Sequence, residues 1–307
     1  MQALTFQDMH KAYGGVPALK GAGLTLRAGQ VHALMGENGA GKSTLIKLIA
    51  GVVPADRMRV ERDGVPLTID SAVAAQRAGF RVIHQELNIV PQVSVAENML
   101  LGRTFPRRFG LAIEWRAVYA RAEAALEALG ADHIDVRALA GTLSTGDQML
   151  MKIAAALVSD PVTDDIATLY VLDEPTAALT GEEAEMLFAV IARLTATGAA
   201  VLYVSHRLGE VLRICDQITV LRDGRLISTG PIAETDKARI IREMTGRDVA
   251  DAYPPRTSQP SPAHEATPAP AILKCHNART NRLSELTFEV PPREVLGIAG
   301  RAGAGQT

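Results

Sequence analysis

A short glycine-rich loop, residues 36–43, constrains the fold of this chain more than any other feature. Its sequence is Gly-Glu-Asn-Gly-Ala-Gly-Lys-Ser, and it stands between the apolar run Val31–Met35 and residues 44–50, which have apolar side chains at helical spacing. An apolar run stopped by glycine is typical of a buried strand. Glycines let a backbone curl until its N–H groups converge on phosphate oxygens, and the following helix N-terminus adds a favourable dipole. The pattern therefore predicts a phosphate-binding loop between a strand and a helix.

The loop also assigns roles to particular side chains. We expect Lys42 to reach the β- and γ-phosphates of a nucleotide and the Ser43 hydroxyl to ligate Mg²⁺. The candidate nucleotide-binding residues in this region are Gly36, Asn38, Gly39, Gly41, Lys42, Ser43 and Thr44.

A second apolar run, residues 168–172, ends in the carboxylates Asp173 and Glu174. One carboxylate at a strand end can hold Mg²⁺, and its neighbour can orient an attacking water. Acidic residues also end many strands simply as helix caps or turn formers, so this pair alone would be weak evidence. Beside a phosphate loop, it favours a nucleotide hydrolase with Asp173 at the metal and Glu174 at the water.

Composition limits the other possibilities. A formal net charge of −2 gives no sign of a nucleic-acid-binding surface. No apolar run approaches the ~20 residues that a membrane helix needs, and the N-terminus has no secretory h-region, so a membrane role would be peripheral, through a partner. Cys215 and Cys275 stand far apart without other ligands at metal-binding spacing, which favours two reduced thiols over a disulfide.

The chain divides by composition. Residues 1–245 alternate strand-like and helical segments, as in a parallel sheet flanked by helices. Residues 88–160 include predicted helices over Trp115–Leu129 and over residues 148–158, which together indicate a helical subdomain. Residues 246–271 are rich in Pro, Ser, Thr and Ala and predict an extended linker. Residues 272–307 resume a strand-rich pattern, and their loop 300–307 repeats loop 36–44. This repetition predicts the N-terminal fragment of a second, similar domain.

With these motifs in order, the first 245 or so residues resemble ATP-binding cassette ATPases, which implies a P-loop NTPase of the α/β class with a parallel-sheet core, an antiparallel β subdomain and a helical subdomain. The resemblance assigns Tyr13 to stack on adenine, Gln85 to touch Mg²⁺ and the attacking water, and His206 to contact the γ-phosphate. It also identifies residues 143–148, Leu-Ser-Thr-Gly-Asp-Gln, as the signature motif, with Ser144 and Gly146 as its nucleotide-binding residues. Thr145 stands where glycine is commonest, and Asp147 where glutamine is frequent.

Each of these residues has a simpler interpretation on its own. Tyr13 alone would be a half-buried surface aromatic and Gln85 an ordinary loop residue. Ser144 would be a helix N-cap, which is compatible with presenting a helix N-terminus to phosphate. His206 alone would be a core or capping histidine. The order and spacing of all the motifs favour the functional interpretation.

Three longer segments resemble more narrowly the fused double-cassette ATPases of bacterial ribose, galactose and xylose importers. These segments are residues 83–91, 94–102 and 173–180. The resemblance implies ATP and Mg²⁺ as cofactors, with Lys42, Gln85, Glu174 and His206 as catalytic residues and Ser43, Gln85 and Asp173 at the metal. It further implies membrane permease subunits as partners, indirectly a periplasmic sugar-binding protein, and a peripheral place on the cytoplasmic face of the inner membrane.

In that family two cassettes sandwich ATP head to tail, so that the phosphate loop of one faces the signature of the other. Here Gln306 takes the lysine position in the second loop, and no second signature follows. A neutral amide cannot replace a lysine contact with phosphate. The resemblance therefore implies a chain truncated in its second cassette, which binds MgATP but hydrolyses it slowly unless it forms a homodimer.

Two alternatives to a sugar-import ATPase stay open. One is a cassette ATPase acting on ribosomes or DNA, which the absence of a long coiled-coil insertion and of a basic linker tract disfavours. The other is a truncated or split gene product that binds nucleotide without efficient turnover. The sequence does not identify the sugar.

Overall fold

The computed structural model describes residues 1–84, 88–108, 111–158, 167–246, 271–279, 285–292 and 296–297. The chain divides into two compact units, Met1–Ala252 and Tyr253–Thr307. The strands of the first unit are β1 (Ala3–Tyr13), β2 (Val16–Arg27), β3 (Val31–Met35), β4 (Arg57–Arg62), β5 (Val65–Pro66), β6 (Phe80–Ile83), β7 (Arg107–Arg108), β8 (Ala112–Ile113), β9 (Leu169–Asp173), β10 (Ala200–Val204), β11 (Gln217–Arg222) and β12 (Arg225–Pro231). Its helices are α1 (Lys42–Ile49), α2 (Ala72–Arg77), α3 (Val95–Leu100), α4 (Trp115–Leu129), α5 (Thr145–Leu157), α6 (Gly181–Ala196), α7 (Leu208–Ile214) and α8 (Lys237–Thr245).

A six-stranded sheet in the order β12-β11-β3-β10-β9-β6 forms the centre of this unit. Its strands are parallel except for the β11–β12 pair. All five residues of β3 and of β10 are buried. Successive side chains of a strand point to opposite faces, so a sheet covered on both faces needs such unbroken apolar runs.

Two apolar cores cover the two faces of this sheet. Ala33 and Tyr203 pack on one face with the buried residues of helices α3, α4 and α5. Leu34 and Leu202 pack on the other face with helix α1 and strands β1 and β2. A four-stranded antiparallel sheet, β2-β1-β4-β5, completes the second side. The expected parallel-sheet core, antiparallel subdomain and helical segment are therefore present.

Side-chain caps mark the starts of several helices. Ser94 and Thr180 each form a capping box with the glutamate three residues later, Glu97 and Glu183. Ser144 caps α5 by accepting from the Asp147 backbone N–H. Such caps satisfy backbone donors that have no partner within the helix.

The structure shifts several predicted boundaries slightly. Helix α4 covers the predicted range. Helix α1 begins at Lys42, strand β9 is displaced by one residue, and α5 begins at Thr145 rather than at Gln148. The last difference arises because the Ser144 cap lets three polar or small residues join the first turn. Cys215 and Cys275 are both free, as predicted.

The described part of the second unit is an antiparallel pair, β13 (Leu273–Ala278) with β14 (Leu286–Val290). An ion pair of 3.1 Å between Lys274 and Glu289 joins the two strands. Among the described residues of the whole chain, no helix has both the length and the apolar character needed to cross a bilayer.

Candidate nucleotide-binding and catalytic site

The glycine-rich loop joins β3 to α1 at the carboxyl end of the central sheet. Gly41, the residue before α1, has φ 106°, and a Cβ there would lie 2.8 Å from the Ala18 carbonyl oxygen. Only glycine fits this left-handed, crowded position without displacement. No side chain caps α1 at this end. The first N–H groups of the helix are thus available to an anion, as the loop pattern predicts.

Lys42 lies across the mouth of this loop. Its ammonium group donates to the carbonyl oxygens of Gly36 at 2.7 Å and of Glu37 at 3.0 Å. Burial lowers the pKa of Lys42, and the nearby carboxylates of Glu174 and Asp173 partly oppose that shift. Both carboxylates are therefore close enough to Lys42 to act on its pKa, although they lie far away in the sequence.

Asp173 ends strand β9, and Glu174 follows it in a left-handed conformation with φ 48°. Burial, followed by repulsion from Glu174, raises the pKa of Asp173 to about 6, against the opposing effect of Lys42. The Glu174 backbone N–H donates to the Val204 carbonyl at 2.8 Å. This bond fixes the strained turn to the end of the neighbouring strand β10. Non-glycine residues with a positive φ, such as Glu174, are often found at functional sites.

His206 follows that neighbouring strand. Its Nδ1 lies 3.1 Å from the Glu174 Oε1, and its side chain is 61% exposed while that of Glu174 is 18% exposed. The histidine thus extends from the glutamate toward solvent. Two residues predicted separately from two motifs form one pair.

The pair opens into a cleft of about 750 Å³ lined by Gly36, Glu37, Asn38, Glu174, His206 and Met244. Sequence reasoning missed Glu37 as a lining residue, although it lies inside the loop motif. It also missed Met244, which α8 brings to the cleft from the far end of the unit. No sequence signal marks Met244, because only the packing of α8 places it there.

The remaining predicted residues lie elsewhere. Tyr13 ends β1 and is 46% exposed, with the Lys11 ammonium 5.7 Å from its ring centroid. Ser144 and Gly146, at the start of α5, do not line the cleft. Ser43 is exposed and Thr44 is half-buried on the first turn of α1, whereas Gly39 is exposed in the loop. Gln85 lies outside the described residues.

The start of α5 is tightly built around Gly146. A Cβ on Gly146 would lie 2.6 Å from the Glu183 carboxylate, so α5 and α6 approach each other closely here. The Ser144 hydroxyl donates to the Asp147 carboxylate at 2.8 Å, and His133 lies 2.8 Å from its other oxygen. Although burial acts in the opposite direction, these hydrogen bonds hold the pKa of Asp147 below its usual value.

The donor set near the loop suits a hard divalent cation. A serine hydroxyl at the start of α1 and a carboxylate at the end of β9 are oxygen ligands of the kind Mg²⁺ takes alongside substrate phosphates. Within the described part of the chain, no cluster of three or more His, Cys, Asp or Glu side chains could hold a metal by itself.

Comparison with known proteins identifies this combination of fold and site. The family model described as ABC transporter matches residues 19–177, just over half of the chain. The chain belongs to the ABC transporter family. The matched segment runs from the first half of strand β2, through the phosphate loop and helix α5, to just beyond Glu174.

Two solved structures of ATP-binding cassettes from ABC transporters have the same fold. One, in its ADP conformation, matches 80% of this chain and all of its own chain with a TM-score of 0.67 and 28% identity. A nucleotide-free cassette matches 80% of this chain and 96% of its own with a TM-score of 0.66 and 28% identity. The fold is therefore that of a P-loop cassette.

Curated relatives are named for sugar import. The ribose import ATP-binding protein RbsA of Chromobacterium violaceum is 47% identical over 99% of this chain and 58% of its own length. A putative ribose/galactose/methyl galactoside import ATP-binding protein of Burkholderia ambifaria is 44% identical over 99% and 56%. An RbsA protein of Bacillus cereus is 40% identical over 99% and 59%. The chain thus spans a little over half the length of these relatives.

Proposed function

We propose that this chain binds MgATP in the cleft and hydrolyses it, and that hydrolysis energises sugar import through a membrane permease. The relatives' names support the import role, since they are called ribose or galactoside import ATP-binding proteins. The observation that carries the catalytic part is the Glu174–His206 pair, 3.1 Å apart at the wall of the phosphate-loop cleft.

Each residue of this site has a distinct role in the proposed reaction. Lys42 and the loop N–H groups hold the phosphates and offset their charge. Glu174 orients the attacking water and accepts its proton, and the half-buried position of its carboxylate at the cleft wall suits that role. His206 contacts the γ-phosphate and stabilises the charge that develops on it. Bound Mg²⁺, held by Ser43, Asp173 and Gln85, supplies electrostatic stabilisation to the phosphate oxygens.

The site needs a second cassette to be complete. Tyr13 supplies an exposed ring for the adenine, but Ser144 and Gly146 lie away from the cleft that holds Glu174. We propose that they contact ATP bound by another cassette, arranged head to tail, either in a second copy of this chain or in another cassette domain.

A second cavity, of about 410 Å³, offers a docking place for the permease. It lies between α2 and β6 on one side and α3 and α5 on the other, and it is lined by His84 and Asn88 among others. In the sequence these two residues flank the segment that contains Gln85, the residue proposed to touch Mg²⁺, which supports this cavity as the docking place. Binding to a permease would hold the chain at the cytoplasmic face of the inner membrane, with a periplasmic sugar-binding protein acting upstream.

We also propose that residues 1–245 form a first cassette, that 246–271 form a linker and that 272–307 begin a second cassette. The hairpin β13–β14 supports this assignment, since it is antiparallel like β1–β2. Leu286-Thr287-Phe288 in β14 matches Leu24-Thr25-Leu26 in β2.

Steady-state hydrolysis and nucleotide binding by the Glu174→Gln variant test the catalytic proposal. The amide cannot accept a proton, so we expect turnover to fall roughly 10²- to 10⁴-fold while the Kd for ATP stays unchanged. Glu182→Gln, an exposed carboxylate in the first turn of α6, is the matched control and should behave like the wild type. Wild-type turnover in Glu174→Gln would overturn the assignment. Failure of the wild-type chain to copurify with a coexpressed sugar permease would contradict the transport role.

A further inference from the structure

Glu210, in the first turn of α7, has no place in the motifs that led to the site. Its side chain is 15% exposed, and it points into a cluster of buried hydroxyl groups. Tyr203, which is fully buried in β10, donates from its hydroxyl to the Glu210 Oε2 at 2.7 Å. Burial, followed by this hydrogen bond, raises the pKa of Tyr203.

The same carboxylate contacts the loop that follows Glu174. The Thr176 hydroxyl lies 2.8 Å from one oxygen of Glu210 and 3.0 Å from the other, across 34 residues of sequence. Thr176 is 1% exposed and stands two positions after Glu174. A buried hydroxyl with a charged acceptor is held firmly, because losing the partner leaves a polar group unsatisfied.

Glu210 also contacts both neighbours of His206. The Ser205 hydroxyl lies 3.4 Å from its Oε2, and the Arg207 guanidinium lies 3.2 Å from its Oε1. The Ser205 hydroxyl in turn accepts from the Arg207 backbone N–H at 3.0 Å. The turn that carries His206 is therefore tied on both sides to the carboxylate that holds Thr176.

From these contacts we infer that Glu210 is a positioning residue that sets the distance between Glu174 and His206. It joins the two segments that carry them through hydrogen bonds to Thr176, Ser205 and Arg207. This inference rests on the proposed hydrolysis, because the pair needs a fixed separation only if both residues act on one phosphate. A misplacement of about 1 Å can cost about 10²-fold in rate, so a link that fixes this separation affects turnover.

Glu210→Ala and Thr176→Val, each compared with the wild type, test this role. We expect kcat for ATP hydrolysis to fall about 10- to 100-fold in Glu210→Ala, with KM and the Kd for ATP within about twofold of the wild type. Thr176→Val, which removes one hydroxyl at nearly constant volume, should show a smaller loss of the same kind. Glu210→Gln keeps an acceptor for Tyr203 and Thr176 and should recover part of the rate.

Two further measurements separate positioning from a general structural effect. In a Glu174→Gln background, Glu210→Ala should cause a smaller loss of turnover than in the wild type, because part of its effect acts through Glu174. Amide hydrogen exchange should be faster at residues 174–180 and 205–207 in Glu210→Ala. Glu185→Ala is the matched control, since Glu185 joins α6 to the same helix α7 through Arg213, at 2.5 and 2.6 Å, outside the cluster. It should leave both exchange and kcat unchanged.

The possible outcomes distinguish this inference from the proposed function. Absence of both ATP binding and hydrolysis in the wild type would overturn the proposed function, and the exchange measurement would still decide whether Glu210 fixes the two segments. Normal wild-type turnover with unchanged kcat in both Glu210→Ala and Thr176→Val would overturn the positioning role alone. A fall in kcat that adds fully to the effect of Glu174→Gln would also overturn it.

Discussion

His32 lies within strand β3 with 3% of its surface exposed. Its Nε2 is 2.7 Å from the Thr219 hydroxyl, which is 2.8 Å from the Thr229 hydroxyl. Burial lowers the pKa of His32 to about 4. Three strands of the central sheet are thus joined by a short polar chain that holds a neutral imidazole.

This histidine should make stability depend on pH. Between about pH 6.5 and 4 the unfolded chain binds a proton that the folded chain does not. The free energy of unfolding should therefore fall by about 1.4 kcal/mol for each unit that the pH drops in this range. Urea denaturation of the wild type and of His32→Gln at pH 7, 6 and 5 measures the effect. The free energy of unfolding of the variant should depend less steeply on pH than that of the wild type. Equal slopes of unfolding free energy against pH in the two proteins would contradict the prediction.

The second prediction at the scale of a residue concerns Gly41. In Gly41→Ala, the added Cβ meets the Ala18 carbonyl at 2.8 Å in a left-handed backbone position. We expect the loop to shift and ATP affinity to fall about tenfold, which corresponds to a loss of about 1.4 kcal/mol in binding free energy. Fluorescent-nucleotide titration measures it. Gly230→Ala, which has no atoms within 4 Å of the new Cβ, is the control and should bind normally. Equal affinity in the two variants would contradict the argument.

At the scale of elements, helix α6 connects the loop that follows Glu174 to the start of α5, which carries the proposed signature residues. Its cap Thr180 accepts from the Glu183 backbone N–H, and the Glu183 carboxylate accepts from the Thr180 backbone N–H. The same carboxylate packs against Gly146 at the start of α5. One capping box therefore fixes the start of α6 and the surface on which the signature rests.

Removing this cap should weaken the domain measurably. We expect Thr180→Ala to lower the free energy of unfolding by about 1 kcal/mol, because the first turn of α6 loses a backbone partner. Thr180→Ser keeps the hydroxyl and should cost much less. Denaturant midpoints of the three proteins, compared at equal slope, measure the difference. A Thr180→Ser variant as unstable as Thr180→Ala would show that the methyl group, and not the cap, is responsible.

At the scale of the whole molecule, the cleft and the signature residues lie apart. Glu174 and His206 line the cleft with the phosphate loop, whereas Ser144 and Gly146 do not. If a second copy of the chain supplies the signature, two differently damaged chains should complement each other. In a mixed dimer, the intact lysine of one chain and the intact serine of the other chain would then form one complete site.

Mixing Lys42→Ala with Ser144→Ala tests this arrangement. Each variant alone should hydrolyse ATP slowly. An equimolar mixture should recover up to about a quarter of wild-type turnover, because half of the dimers are mixed and each has one intact site of two. Phosphate release across a range of protein concentrations measures it. A mixture no faster than its components would contradict a homodimeric site and point to a different cassette as the partner.

Local features were predictable from sequence because each depends on near neighbours. The loop glycines, the apolar run of β3 and the Ala- and Leu-rich α4 are encoded within a few residues, and the structure has all three. Boundaries moved where a cap intervened, as at Ser144 before α5. The family motifs likewise located Glu174 and His206, although no spacing rule showed that they would lie side by side.

The tertiary structure alone decided how these parts meet. Parallel strands β9 and β10 lie next to each other, so their carboxyl ends bring Glu174 to His206 at 3.1 Å. Packing of α8 places Met244 at the cleft, and the fold of α7 turns Glu210 toward Thr176. Sequence determines conformation and polarity over short distances, because backbone sterics and periodic burial act locally. Contacts between distant segments depend on which strands pair, and that order is set by burial of the whole core.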